Sequence, residues 1–212
     1  MNHNSKLLLK GENVKRISLL VALTLLLSFI GVQSSIAARH GLFLDLSSGS
    51  GEAEWDSDTS SWDVDSDSFA GGYVFDTDPD PSKVFNYRLN VGIIRQDLED
   101  DFGVTLESTG IYAENVFGFA FTKNENFRWW AGPLVRLGFY SGEVENSNLD
   151  VDYFEFGLGL VTGMNFMAGN TMLSPSLGLR FSGFAGEGED ADYSEDIEGD
   201  ATTLFFNFAV LF

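Results

Sequence analysis

Period-two alternation of apolar and polar residues, repeated in eight runs along a 212-residue chain, predicts an all-β fold: an eight-stranded antiparallel up-and-down transmembrane β-barrel. Three observations carry that expectation. One face of every run lacks charge at its centre, the links between runs alternate in length, and a leader-like segment precedes the first run. Composition narrows the field by exclusion. A formal charge of −20 argues against a nucleic-acid binder, which needs a basic footprint. Zero Cys excludes a disulfide scaffold and, with two His, leaves little for a zinc site. A chain that is 44% hydrophobic and holds 20 Phe is too apolar to stay disordered.

Residues 1–38 read as a signal peptide. Lys6, Lys10, Lys15 and Arg16 precede an apolar run from Ile17 to Val32, and small residues follow through Ala37 and Ala38. Cleavage after Ala37 and after Ala38 fit equally. A membrane-anchoring helix is the competing reading, but the run falls short of the ~20 residues that span a bilayer. No Cys follows it, so a lipid anchor is not expected. Removal of residues 1–38 takes four bases and one acid and leaves 39–212, the expected barrel domain, at −23.

The runs cover roughly 40–48, 67–76, 84–96, 107–122, 127–141, 151–167, 172–185 and 201–212. Segments 49–66, 97–106, 142–150 and 186–200 read as long or acidic links, and 77–83, 123–126 and 168–171 as short turns. Side chains of a strand fall alternately on two faces. The apolar face begins Leu42, Leu44, Leu46 and runs through Phe69, Tyr73, Ile93, Ile111, Phe119, Leu137, Phe156, Leu158 and Phe181 to Phe206. Asn115 is its one polar exception, for which a bulge is the expected reason. The other face holds many Gly together with Asp45, Arg88, Glu114, Arg136, Glu155 and Arg180.

Alternation alone fits a soluble lipocalin-like binder as well, with its apolar face inside. Three features favour lipid outside. Small residues suit the narrow interior of an eight-stranded barrel. The six charges of the polar face cancel, as buried charges must. Aromatics gather near strand ends, as in interfacial girdles. At the short-turn end Asp76, Asp78, Asp80 and Glu125 are expected to balance Arg39, Lys83, Lys123 and Arg128, leaving the remaining acids outside against Arg95 alone.

The final run, from Thr202 to Phe212, ends in Phe with Phe208 and Val210 on alternate positions before it. It is similar to the C-terminal assembly signal of outer-membrane proteins. With the leader and eight runs, the chain resembles the small OmpA/OmpX-type barrel family over 39–212. That resemblance implies a Gram-negative-type outer membrane, both termini periplasmic, with lipid, lipopolysaccharide and the barrel-assembly machinery as partners. A C-terminal periplasmic domain is not expected.

Enzymatic barrels of this kind use, by resemblance, a His near the outer rim. His40, the one His left after the leader, sits at the other end, so a non-enzyme is expected. The acidic link carrying Trp55, Asp56, Asp58, Trp62, Asp63, Asp65 and Asp67 is a candidate for loose Ca²⁺ or Mg²⁺ binding or partner contact. It is not an EF-hand, because Ser68 and Val74 occupy the Gly and Glu positions of that loop. No other cofactor is expected. The leading functional expectation is a structural or surface-interaction role with a plugged lumen. A narrow cation-preferring channel is the alternative.

Overall fold

The computed structural model describes residues 38–55, 61–77, 84–124, 126–145, 147, 149–189 and 194–212. The leader expectation and positions Asp56, Asp58, Asp78, Asp80, Lys83 and Glu125 lie outside them. Eight strands follow in order: β1 (Arg39–Trp55), β2 (Trp62–Asp76), β3 (Phe85–Asp100), β4 (Thr105–Lys123), β5 (Phe127–Val144), β6 (Asp150–Ala168), β7 (Thr171–Glu189) and β8 (Ser194–Leu211). Each pairs antiparallel with the next, and β1 pairs with β8, so the ring is closed. Closure gives every strand two hydrogen-bonded neighbours and abolishes the free edge that hydrocarbon could not solvate. No described helix is long and apolar enough to cross a membrane.

The alternation is read out as expected, and its direction is now fixed. Leu42, Leu44, Leu46, Ile93, Ile111, Phe119, Phe156, Leu158, Leu160 and Phe181 point outward and are exposed, whereas Asp45, Arg88, Glu114, Arg136, Glu155 and Arg180 are buried inside. That removes the lipocalin-like reading, whose apolar face would line the interior. So large an apolar belt on a folded chain marks contact with lipid rather than water. On β6 the belt runs from Phe154 to Phe166. At ~3.3 Å per residue and ~40° tilt this is a height of about 30 Å, the thickness of a hydrocarbon core.

The rims of the belt are aromatic. Phe85–Phe119, Phe121–Trp129 and Phe127–Phe166 pair across neighbouring strands near the lower rim, which carries Arg39 and Phe212, and Phe139–Phe154 pair at the upper one. The Trp129 indole N–H donates to the Thr162 hydroxyl at 2.9 Å, giving the ring its polar end at the boundary. Asn115 does face outward, but no bulge explains it. The one register shift of that pair of strands lies between Ala120 and Thr122. Instead the Tyr87 hydroxyl donates to Asn115 Oδ1 at 2.5 Å, which satisfies the side-chain oxygen on the outer wall.

The strands overrun their expected ends on one side. β1 reaches Trp55, β2 starts at Trp62 and β8 starts at Ser194, so most of segments 49–66 and 186–200 is ladder, not loop. From Leu46 to Trp55 the wall rises a further ~20 Å above the belt. Asp63, Asp65 and Asp67 therefore sit on β2, pointing outward, with Glu52 paired to Asp63 and Glu99 paired to Asp65. Composition misled here because acids are poor strand formers; pairing on both sides and an apolar inner face outweigh that preference.

Two glycines show how the interior accepts large rings. A Cβ on Gly163 would lie 2.5 Å from the Trp130 ring, and one on Gly178 would lie 2.4 Å from the Phe205 ring. Gly163→Val is expected to cost about 1–3 kcal/mol by overpacking, whereas Leu160→Ile on the lipid face should cost under about 1.5 kcal/mol. Urea unfolding from lipid vesicles, followed by tryptophan fluorescence, checks the difference.

Candidate functional site

Among the described residues, the lumen gathers a dense set of buried polar groups. Four carboxylates (Asp45, Asp76, Glu114, Glu155) and four guanidinium groups (Arg88, Arg128, Arg136, Arg180) are buried there. All six charges expected from the sequence are among them. Asp76 and Arg128 were expected at the short-turn surface, and this is corrected: both are fully buried. Parity could have found them, since Asp76 continues the even-numbered inner face of β2 and Arg128 that of β5.

The lower group is built on neighbouring strands. Asp76 and Arg88 are register partners, and Arg88 donates to Asp76 Oδ2 through Nε at 3.1 Å and Nη2 at 3.0 Å. Asn86 donates to the same oxygen at 2.9 Å and accepts from Arg128 at 2.5 Å. Asn165 Oδ1 collects Trp130 Nε1 at 2.9 Å, Ser174 at 2.8 Å and Arg88 at 3.4 Å. The Arg88 guanidinium lies 5.0 Å from the centre of the Trp130 ring.

The upper group centres on Glu155. Arg136 Nε lies 3.5 Å from Glu155 Oε2 and Arg180 Nε 3.3 Å from Oε1. Ser182 donates to Oε1 at 2.6 Å, and the Tyr140 hydroxyl donates to Oε2. Arg180 also reaches Glu114 at 3.9 Å, and Asn90 donates to Glu114 at 3.1 Å. Asp45 accepts from Asn207 at 3.2 Å. Arg136 stacks 3.8 Å from the Tyr112 ring centre. From β3 to β7 the buried charges alternate in sign, as Arg88, Glu114, Arg136, Glu155 and Arg180, and they interlock, but not as simple neighbours. Glu114 and Arg136 are register partners, yet the ion pair of Arg136 is with Glu155.

An apolar cluster of Val116, Trp130, Leu134, Val161 and Phe205 links the two groups. Trp130, Arg88, Arg128, Arg136, Phe205 and Leu134 are among the largest fully buried side chains, so this stretch of lumen is packed rather than open. Above the charges, Tyr140 and Tyr153 stack at 4.7 Å. The Tyr153 hydroxyl shares a hydrogen bond with Ser108 at 2.8 Å, and Gln96 donates to Ser66 at 2.9 Å. Over this floor stands a cavity of about 620 Å³ at the upper mouth.

No protein-family model and no curated protein matches the chain. The outer membrane protein OprG from Pseudomonas aeruginosa superposes at a TM-score of 0.56 with 10% identity, covering 84% of this chain and 99% of that one. The fold is that of a bacterial outer-membrane barrel. Neisserial surface protein A aligns at a TM-score of 0.35 with 14% identity, covering 81% of this chain and 97% of the other.

The remaining candidates lie apart from the two charge groups. Trp55 and Trp62 stack at 6.2 Å at the top of β1 and β2. Phe208 and Val210 face outward on β8 opposite Leu44 and Leu42, and Phe212 closes the seam by donating its N–H to His40 O at 2.9 Å. His40 stacks on Tyr73 and meets Phe212 edge-on. Among the described residues no three His, Cys, Asp or Glu converge as a metal-binding set.

Glu155 joins two arginines, so Glu155→Leu leaves both buried without that partner and is expected to cost about 3–5 kcal/mol. Adding Arg136→Leu should cost less than the sum of the single losses. A double-mutant cycle on Glu155 and Arg136 is expected to give larger coupling than one on Glu114 and Arg136, measured by urea unfolding in vesicles.

Proposed function

We propose that this chain resides in a Gram-negative-type outer membrane as a closed barrel that works at the outer surface, in a structural or interaction role. The observation that carries the reading is the packed lumen: Trp130, Phe205 and Leu134 between the two charge groups, and Arg88, Arg128 and Arg136 within them, are all fully buried inside the ring. Arg88, Arg136 and Arg180 are held by carboxylate partners, which favours register and rigidity over passage. Lipid and lipopolysaccharide are the partners of the outer belt, and the barrel-assembly machinery reads Phe208, Val210 and Phe212. Residues 1–38 act as the export leader.

On this reading the surface presented outside is the upper wall rather than a set of loops. Glu52, Asp63, Asp65 and Asp67 are exposed there, and Asp67 stands opposite Asp97 in the ladder. Like charges directly opposite destabilise a sheet. Loosely held Ca²⁺ or Mg²⁺ offsets that repulsion, so millimolar Ca²⁺ is expected to raise the unfolding midpoint. An unchanged midpoint removes cations from the reading. A non-enzymatic role fits the position of His40, stacked on Tyr73 and edge-on to Phe212 at the lower rim.

One observation favours the narrow cation channel as a second reading. Asp45 Oδ1, Asn90 Oδ1, Glu114 Oε2 and Asn207 Oδ1 are buried without a hydrogen-bond partner. Such oxygens suit water or a small cation. Planar-bilayer recording on refolded protein separates the two. The closed barrel is expected to give no sustained conductance, and a lasting ohmic step that prefers cations would replace it with the channel.

A further inference from the structure

We propose that the upper cavity is a binding site for a small organic monocation carrying an apolar tail, such as an arylalkyl ammonium compound. The cavity measures about 620 Å³, within the range of small-molecule sites, and its walls include Leu98, Leu106, Val151, Phe184 and Ile197. These side chains point into the barrel above the belt, at a height where water can enter from the mouth. An apolar chamber left to water forfeits the contacts that a packed core would make. A ligand with an apolar tail restores them.

The walls are shaped rather than merely left over. A Cβ on Gly199 would lie 2.3 Å from the Phe184 ring, and a Cβ on Gly188 would lie 2.9 Å from the Trp55 ring. Glycine at these two positions makes room for two of the aromatic rings that line the chamber. Trp55 stacks against Trp62 at the mouth, 6.2 Å apart, and both line the cavity. Indole faces attract organic cations.

Charge at the mouth selects the same sign. Asp100 and Asp101 line the cavity, and among its described lining residues there is no Lys, Arg or His. Asp100 is held by the turn it closes: its Oδ1 accepts the Phe102 N–H at 2.9 Å and the Val104 N–H at 2.8 Å. Phe102, on that turn, is 86% exposed and also lines the cavity, so an apolar ring stands ready at the opening. The tail therefore lies on the aliphatic wall, the cation between the indoles and the carboxylates. Tyr153, which stacks on Tyr140 beneath it, lines the floor.

This site rests on the closed lumen proposed above only for its floor. The test uses the whole barrel in phosphatidylcholine nanodiscs, with empty nanodiscs subtracted. The probes are 3-phenylpropyltrimethylammonium, its uncharged isostere with carbon in place of nitrogen, and 4-phenylbutyrate, titrated calorimetrically. The expected result is saturable binding of the cation, about tenfold tighter than the neutral isostere, with the carboxylate weakest. Ile197→Trp, which fills the chamber, should abolish binding of all three; Val151→Trp serves if that variant fails to fold. Trp55→Leu with Asp101→Asn should retain the neutral isostere and lose the preference for the cation. Quenching of the native tryptophans by a brominated form of the cation gives a readout that needs no variant. Binding no greater than to empty nanodiscs, a flat order among the probes, unchanged binding in both chamber-filling variants, or no quenching would each overturn the site. Saturable uptake of the cation into sealed proteoliposomes would uphold the site while overturning the closed lumen.

Discussion

The structure depends on one constraint: inside hydrocarbon, every backbone N–H and C=O must find its partner within the protein. The β1–β8 seam meets it by turning a sheet into a ring. Once the ring exists, side-chain parity has a single meaning from end to end. Odd or even positions of each strand meet lipid, and the others meet each other. The belt of Leu, Ile and Phe outside and the crowd of Gly, Asn, Ser and Arg inside are two consequences of that closure rather than two separate designs.

Eight strands leave little interior, and this sets what the polar face can be. A solvated sheet face can carry charge freely. A face rolled into so narrow a tube must cancel its charge locally and fit its bulk. Arg88 and Arg180 each lie over an aromatic ring, Trp130 and Phe205, and each also meets a carboxylate. Glycines paired with them on neighbouring strands, Gly163 and Gly178, accept those rings. The electrostatics and packing of the lumen are therefore one problem, solved by the same side chains.

The fold and its inner and outer faces were legible from the sequence, because period two is the signal that strands write most plainly. The six lumen charges were legible for the same reason. What parity does not encode is reach. A long arginine chooses its partner by tilt and rotamer, so Arg136 passes over its register neighbour Glu114 and settles on Glu155. Strand ends were the other weakness. Asp63, Asp65 and Asp67 look like loop residues by composition, yet Val64 and Ser66 between them are buried, and that inner face holds the strand together. The upper cavity was invisible for a related reason. Its walls come from segments whose outward faces are so acidic that they conceal the alternation.

The overrun of the strands above the belt changes what the outside of a cell would meet. On β1 and β8 the ladder continues unbroken to the pair Trp55 and Ile197. Exposed backbone that stays in register is held by its neighbours on both sides and cannot easily be drawn into the extended groove of a protease, which favours loose chain. The upper part of this barrel is thus a hydrogen-bonded collar with side-chain variety on its surface. Substitution can redecorate such a collar residue by residue, but insertion or deletion of one residue would rotate every following side chain from wall to chamber.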